Sequence, residues 1–598
     1  GYTEAQALEE ASRCLECGCQ DYFECQLIDY ANRYDVKPER FEGENEAHVF
    51  EDDHPFIVRN PDKCILCGRC VRACDEVIGV GALGLVDRGF DTMVAPALGG
   101  KLADSGCMSC GTCVAVCPTG ALVERARGYK NVPTETTKTQ TTCGYCGTGC
   151  QMIVETMGDG TIVKAVPLDD QNQVNEGVMC GRGRFGSNQV QIGERLSTPL
   201  MRNAEGKLVE TDWYNAFVNI AKKAQSIAGR YGSDALKVAI SPKYTTEEMA
   251  MMKKLADKLG AETFSFSNRA HGEDAVLGRT GRIQDLNALL SADAILVVGC
   301  LSTNNPVLRY KLSQASRKKA EVFFINPKED GLDKFGDEFT TDALDLDFLG
   351  EITKYVRENR KNTADIEGFD ALGASLKELE ISEEAEVIGE ALVNAKNPIL
   401  VIGDKYITEE ASALAADIVA LLGDVDAPRR GLLRIAQKNN SKALELLGIT
   451  ATEAVLPEAK GLMLFGEDPN ADLSGYHFLM VQDTHLTKAA EQADIVLPAL
   501  SSVEVSGSFI NTEGKLLKVN KTTERPLFYS NIGMAAEIGK QLGEEMGPLC
   551  AGRIRTSLKA EVEALRDVDF GENIQSKNTK TAMKLSPFKA DGILFEEV

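Results

Sequence analysis

From about residue 193 onward, short apolar runs alternate with amphipathic stretches. "ALKVAI" (235–240) precedes the helix-patterned "TTEEMAMMKKLADKLG", and "ETFSFS" follows it. "AILVVG" (294–299) leads into "PVLRYKLSQASRKKA" and then "EVFFINP" (321–327), while "NPILVIG" (397–403) leads into "TEEASALAADIVALLG". "GLMLFG" (461–466), "HFLMVQ" (477–482) and "ADIVLPA" (493–499) complete the series. Runs that are apolar at consecutive positions, separated by helical periodicity, predict parallel sheets buried on both faces in α/β domains. The N-terminal third reads differently. "GYTEAQALEEASRC" predicts a helix opened by a Thr3–Gln6 capping box, with Ala5, Leu8 and Ala11 or Ser12 on one small-residue face. The acidic "ERFEGENEAHVFEDDHP" (39–55) reads as a connector, and "NVPTETTKTQTT" (131–142), almost free of apolar side chains, as a linker. The closing "IQSKNTKTAMKLSPFKADGILFEEV" reads as a tail or docking segment.

Composition narrows the class. The 598 residues suffice for three or four domains, and 43% hydrophobic with 26% charged residues is ordinary for globular protein. No apolar run approaches the roughly 20 residues of a membrane helix, and no secretory signal, twin-arginine leader or lipidation motif is evident, so a cytoplasmic location is expected. A first residue of Gly rather than Met is expected of a processed product or part of a longer polypeptide. The net charge of −25 argues against nucleic acid, which demands a basic footprint.

The cysteines change the picture most. Sixteen of eighteen fall within the first 180 residues, in four groups of four: Cys14, Cys17, Cys19, Cys25; Cys64, Cys67, Cys70, Cys74; Cys107, Cys110, Cys113, Cys117; and Cys143, Cys146, Cys150, Cys180. Cys300 and Cys550 stand alone and are expected to be buried structural thiols. "CILCGRCVRAC" and "CMSCGTCVAVCP" both follow C-x2-C-x2-C-x3-C, the run that wraps three corners of a [4Fe–4S] cubane and lends its fourth thiolate to the neighbouring cluster. That rule assigns Cys64, Cys67, Cys70 and Cys117 to one cluster, and Cys107, Cys110, Cys113 and Cys74 to the other. "CGYCGTGC" (143–150) with Cys180 supplies a third set, and "CLECGCQDYFEC" (14–25) a less standard fourth. Structural zinc is the rival, but zinc sites pair two C-x2–4-C elements. "GVGALG" (79–84) matches G-x-G-x-x-G without the preceding strand that a dinucleotide fingerprint needs. The five histidines fall outside the cysteine groups and read as ordinary surface or core residues.

Residues 137–186 resemble the cluster-bearing N-terminal domain of the molybdopterin oxidoreductase superfamily, which includes formate dehydrogenase catalytic subunits and the G-type large subunit of respiratory complex I. "LFGEDPN" (464–470) and "ADIVLPALSSVEVSGSFINTEGK" (493–515) resemble its pterin-domain motifs. Residues 55–128 resemble the two-cluster ferredoxin unit of formate dehydrogenases and iron-only hydrogenases, although hydrogen-cluster cysteine motifs are missing from this sequence. Residues 1–36 resemble the end of a flavoprotein of the glutamate-synthase small-subunit type, which oxidises NADPH at FAD. The resemblance implies this order: 1–38 a cluster-binding helical segment, 55–130 a two-[4Fe–4S] ferredoxin-like domain, 137–192 a [4Fe–4S] domain, 193–560 Rossmann-like α/β domains, and 561–598 a tail, without the superfamily's C-terminal β-barrel.

Three departures from formate dehydrogenases stand out. Arg182 occupies the position of their relay Lys, as in complex I subunits. Ala270 precedes His271 where they carry a Cys or selenocysteine metal ligand, and a methyl group cannot ligate molybdenum or tungsten. The barrel is the third. The resemblance therefore implies an electron-transfer subunit with four [4Fe–4S] clusters and no molybdopterin, with no substrate site of its own. Its expected setting is a multi-subunit NAD(P)-linked oxidoreductase resembling electron-bifurcating transhydrogenases of the Stn type. The expected partners are flavin/NADH-binding complex I-type subunits, an NADPH–FAD module carrying FAD or FMN, and ferredoxin. A molybdenum or tungsten formate dehydrogenase and a zinc-stabilised scaffold are the alternatives.

Overall fold

The computed structural model describes residues 2–12, 25–40, 43–44, 48, 54–125, 135–267, 272–277, 286–299, 303–340, 346–423, 431–451, 458–574, 583–590 and 594. The chain divides into two compact units, Gly1–Thr136 and Thr137–Val598.

In the first unit, helix Glu4–Ser12 opens with the reciprocal cap its sequence encodes: the Thr3 N–H donates to Gln6 Oε1 at 2.9 Å, and the Gln6 N–H to Thr3 Oγ1 at 3.3 Å. Antiparallel strands Ile57–Arg59 and Leu122–Glu124 bracket both C-x2-C-x2-C-x3-C runs, each of which leads into a short helix, Arg69–Arg72 or Thr112–Val116. A second antiparallel pair joins Gly84–Val86 to Met93–Ala95.

The second unit begins with a three-stranded antiparallel sheet of Thr137–Thr142, Gln151–Thr156 and Ile162–Pro167. The first of these strands falls inside the stretch read as linker. Its threonines are β-branched and favour a pleated surface, and only Thr141 and Thr142 are buried, so an apolar pattern never develops.

Two α/β sheets follow. In one, six parallel strands run in the order Thr450–Ala451, Glu262–Ser265, Leu236–Ile240, Gly461–Phe465, Phe478–Asp483 and Ile495–Pro498, with Leu200–Arg202 and Leu208–Glu210 added antiparallel. The other has five parallel strands: Asp337–Thr340, Glu321–Asn326, Ala294–Val298, Pro398–Gly403 and Gly431–Ile435. It lies within the chain between two strands of the first sheet. Central strands such as Ala294–Val298 and Gly461–Phe465 are buried at every position, which is why they read as unbroken apolar runs. Helices cover both faces, including Thr246–Leu259, which has a Thr245–Glu248 capping box.

Two expectations need correcting or completing. Cys550 is exposed rather than buried, because it is the extended N-cap residue of helix Ala551–Glu561 while Ile554 and Leu558 turn inward. Cys300 lies outside the described residues. Within the terminal segment, Leu585, Phe588 and Leu594 join the core of the five-stranded sheet. The Ser586 N–H donates to Asp417 Oδ1 at 3.0 Å, whereas Asp417 Oδ2 is buried without a hydrogen-bond partner among the described residues.

Burial pushes the Asp417 carboxyl up to about 8, only partly opposed by the Ser586 N–H. A carboxyl raised above its unfolded value stabilises the fold fully at low pH, and that contribution is lost as pH rises toward the folded value. Asp417→Asn keeps the acceptor and removes the charge. The variant is expected to unfold at a higher temperature than the parent at pH 9, by at least about 1 kcal/mol in stability, and to match it more closely at pH 5. A lower midpoint at pH 9 in calorimetry would refute this account.

Candidate metal centres

Three of the four cysteine groups fall within the described residues, and each set of four lines its own cavity. Cys64, Cys67, Cys70 and Cys117 face a space of about 440 Å³, together with Pro61, Ile65, Pro118 and Leu122. Cys74, Cys107, Cys110 and Cys113 face one of about 350 Å³, walled by Ile57, Ile78, Leu83 and Leu102. The runs therefore exchange their fourth cysteines in space. Cys143, Cys146, Cys150 and Cys180 face a third space, also about 350 Å³, with Met179, Arg182 and Val307 in its wall. Among the described residues, no three His, Cys, Asp or Glu side chains are grouped as a single metal ion would require. The sulfurs frame volumes, not points. Of the first group only Cys25 is described; it is buried, with its Sγ 3.9 Å from the Pro118 carbonyl oxygen, next to Cys117.

Backbone geometry explains the spacing. In both runs the second residue after the first cysteine is left-handed, Leu66 (φ 53°) and Ser109 (φ 56°), and so is the glycine after the second cysteine, Gly68 and Gly111. The chain thus curls around the cavity and turns amides toward sulfur: Leu66 N–H to Cys64 Sγ and Ser109 N–H to Cys107 Sγ, both at 3.4 Å. Non-glycine residues seldom hold this conformation without a compensating demand. Cys74 sits on a π-helical turn, Ala73–Val77, and the following "GVGALG" doubles back over it. Gly79 and Gly81 are left-handed, and the Ala82 N–H donates to Cys74 Sγ at 3.2 Å. The G-x-G-x-x-G match is a cradle for a cysteine sulfur.

"CGYCGTGC" is clamped onto the α/β core. Any Cβ at Gly147 would lie 2.4 Å from the Ala436 carbonyl oxygen, and one at Gly149 would lie 2.6 Å from Leu517. The Gly147 N–H donates to Ala436 O, the Thr512 N–H to Gly147 O at 2.7 Å, and Asn511 Nδ2 to Thr148 O at 3.1 Å. Asn439 Nδ2 also donates to the Cys143 carbonyl.

Burial is the dominant electrostatic fact. It pushes the Cys70 and Cys107 thiols up to about 11, and neighbouring cysteines repel a further negative charge at Cys70. Cys113, Cys143 and Cys150 go higher still, from burial first and then from the other sulfurs of their own sets. Four thiolates gathered in such a space need a positively charged core at its centre.

Sequence reading missed the threonines beside these sulfurs. Thr112 Oγ1 lies 3.4 Å from Cys110 Sγ, and Thr148 Oγ1 lies 3.5 Å from Cys146 Sγ. The repeated tripeptide Cys-Gly-Thr, at 110–112 and 146–148, was the available signal. Arg182 borders the third cavity, and its guanidinium donates to the Thr303 carbonyl at 2.6 Å. Ala270 and His271 lie outside the described residues. Near the strand ends, burial lowers the Lys438 ammonium, and the like charges of Lys243, Arg182 and Lys405 lower it further against the pull of Glu467. Lys243 is itself paired with Asp483 at 2.8 Å.

The whole arrangement is that of a cluster-carrying redox protein built on a molybdopterin-enzyme core. The chain belongs to the molybdopterin oxidoreductase family: residues 195–527 match it, and residues 136–191 match the molybdopterin oxidoreductase Fe4S4 domain. Residues 54–123 match the ferredoxin-like domain of NADH-quinone oxidoreductase subunit 3. It is thus an oxidoreductase-family protein with iron–sulfur domains.

Similar proteins include the NADPH-Fe(3+) oxidoreductase subunit alpha of Geobacter sulfurreducens, 26% identical over 583 residues, covering 85% of this chain and 67% of that protein. A G-type NADH-quinone oxidoreductase protein of Rhizobium meliloti is 28% identical over 599 residues, covering 88% and 68%. A Staphylococcus aureus protein named as a formate dehydrogenase is 25% identical over 642 residues, covering 85% and 63%. The chain therefore spans about two thirds of the length of these relatives. Acetylene hydratase from Pelobacter acetylenicus shares the fold, with a TM-score of 0.54 at 15% identity over 68% of this chain and 69% of that one. No described helix is long and apolar enough to cross a membrane.

Metal removal has a site-specific consequence. After anaerobic chelation, alkylation at pH 8 is expected to modify exposed Cys67 quickly, and Cys143 and Cys150 slowly, because burial leaves so little thiolate at the latter two. Peptide mass spectrometry resolves the rates; equal labelling of all three would contradict this electrostatic picture.

Proposed function

We propose that this chain is an electron-transfer subunit that relays single electrons through four [4Fe–4S] clusters. The observation that carries the reading is the sorting of twelve cysteines around three separate spaces, with Cys74 and Cys117 exchanged between runs. The clusters are held by Cys64, Cys67, Cys70 and Cys117; by Cys74, Cys107, Cys110 and Cys113; and by Cys143, Cys146, Cys150 and Cys180. Cys14, Cys17, Cys19 and Cys25 hold the fourth, and the position of Cys25 beside Pro118 favours exchange between it and the cluster that includes Cys117. Runs of three close cysteines with an exchanged fourth favour cubanes over structural zinc, whose sites pair two C-x2–4-C elements.

Names of relatives point to NADPH- and NADH-linked oxidoreductases. In this reading the wire works between flavin-bearing partners: complex I-type NADH-binding subunits on one side and an NADPH–FAD module on the other. Ferredoxin is the third redox partner, in an electron-bifurcating transhydrogenase located in the cytoplasm. The chain adds no pterin chemistry. Its own residues fix each cluster's sulfurs and set its potential through amide and hydroxyl hydrogen bonds.

A second reading has one observation in its favour. The positive charges of Lys243, Arg182 and Lys405 act together on Lys438, against Glu467 and with Lys243 paired to Asp483, and an anionic pterin cofactor, as in a molybdenum or tungsten formate dehydrogenase, would be drawn to them. Such a cofactor would supply two-electron chemistry at its metal.

Elemental analysis of anaerobically purified protein separates the two. Close to four iron atoms for each of the four cysteine groups, without molybdenum, tungsten or zinc, is expected. Stoichiometric molybdenum or tungsten would overturn the wire in favour of the enzyme. Cys146→Ser is then expected to remove one cluster's iron and reduced-state resonance signal and to interrupt electron transfer from flavin to ferredoxin. Unchanged transfer would make that cluster a side branch.

A further inference from the structure

One histidine has hydrogen bonds of a defined polarity aimed at a cysteine sulfur. His54 is 3% exposed, in the first unit, ahead of strand Ile57–Arg59. Its Nδ1 is approached by two backbone donors, the Phe56 N–H at 3.2 Å and the Ile57 N–H at 3.0 Å. A nitrogen that accepts from two amides carries a lone pair, so the ring's proton is on Nε2. That nitrogen lies 3.2 Å from Ser109 Oγ and 3.8 Å from Cys107 Sγ. The Arg125 guanidinium donates to the His54 carbonyl at 3.1 Å, and Ile57 itself walls the cavity of Cys74, Cys107, Cys110 and Cys113. The ring is thus fixed at the far side and donates at the near side.

We propose that His54 is a positioning residue for this cluster: its Nε2–H, shared between Cys107 Sγ and Ser109 Oγ, holds the left-handed Ser109 turn and raises the cluster's reduction potential. The proposal rests on the reading that these four cysteines bind a [4Fe–4S] cluster. Reduction adds one electron, whose charge spreads onto the cysteine sulfurs, and a hydrogen bond to sulfur stabilises the reduced form more than the oxidised one. The Ser109 amide already donates to the same sulfur, and His54 adds a side-chain donor beside it. Sequence alone hides this, because His54 is separated from Cys107 by more than fifty positions and from its own run by a strand.

The test uses the full chain, purified anaerobically, with iron content and a resonance-monitored redox titration as readouts. His54→Phe, which fills the site without a donor, is expected to keep its iron and to make one cluster harder to reduce, by on the order of tenfold in the one-electron equilibrium, which is 59 mV. His54→Gln restores a donor and is expected to return that cluster toward the parental potential. Full iron with every potential unchanged in His54→Phe overturns the proposal.

If His54→Phe loses iron, the parent protein carries the test. After labelling with 15N-histidine, the reduced-cluster signal is expected to show a histidine nitrogen coupling that His54→Gln removes. Absence of any such coupling overturns the tuning role. A parent protein lacking the iron of this set would instead defeat the cluster reading, so the two failures are distinguishable.

Discussion

Everything in the cysteine-bearing region follows from one constraint: sulfur anions have to be kept together, largely out of water, around a space none of them fills. Thiols so buried hold their protons, as the upward push on Cys70, Cys107, Cys113, Cys143 and Cys150 shows. A cationic inorganic core removes the conflict, since the charge it brings cancels the repulsion that burial magnifies. The cavities therefore depend on their occupants for electrostatic balance, and the protein's share of the work is geometric.

That geometric share is visible in the backbone. Left-handed Leu66, Ser109, Gly68 and Gly111 give the two runs the same curl, and the π-turn at Ala73–Val77 swings Cys74 away from its own run toward the neighbouring one. Glycines 144, 147 and 149 serve a different purpose. They let the "CGYCGTGC" loop press against Ser502, Ala436 and Leu517, where any side chain would collide. The ferredoxin runs are shaped by their own turns, whereas the third set is shaped by the α/β sheet on which it rests.

Much of this was legible because it is local. Strand runs such as Ala294–Val298 and Pro398–Gly403 announce themselves by unbroken apolarity, and capping boxes at Thr3 and Thr245 announce helix starts. The exchange of Cys74 and Cys117 was readable because the spacing of a run determines which three sulfurs it can bring to one space. The illegible parts are those that depend on distant neighbours. Thr137–Thr142 is a strand only because Gln151–Thr156 pairs with it, and "GVGALG" takes its meaning from the sulfur inside its curl. His54 looked like any histidine until the fold placed Cys107 beyond its Nε2. Cys14, Cys17 and Cys19 lie outside the described residues, so their grouping with Cys25 stands on spacing.

The contrast between the cysteine sets bears on how electrons enter and leave. In the first unit Cys67 is exposed, with Ile65 and Leu66 beside it also open to solvent, so that cavity has an edge at the surface. All four cysteines of the third set are buried, and their loop is bonded to Asn439, Asn511 and Thr512 of the α/β core. A surface-edged cluster exchanges readily with a docking partner, while an enclosed one exchanges through protein with whatever lies behind its wall. Behind that wall, Arg182 stands at the cavity and contributes to the cationic group around Lys438. If the cationic group serves a wire, its role is electrostatic: positive charge near an enclosed cluster favours the reduced state and helps hold an electron in transit. The same lysines thus suit either an anionic cofactor or an added electron, and the protein's metal content distinguishes these two uses of one inherited architecture.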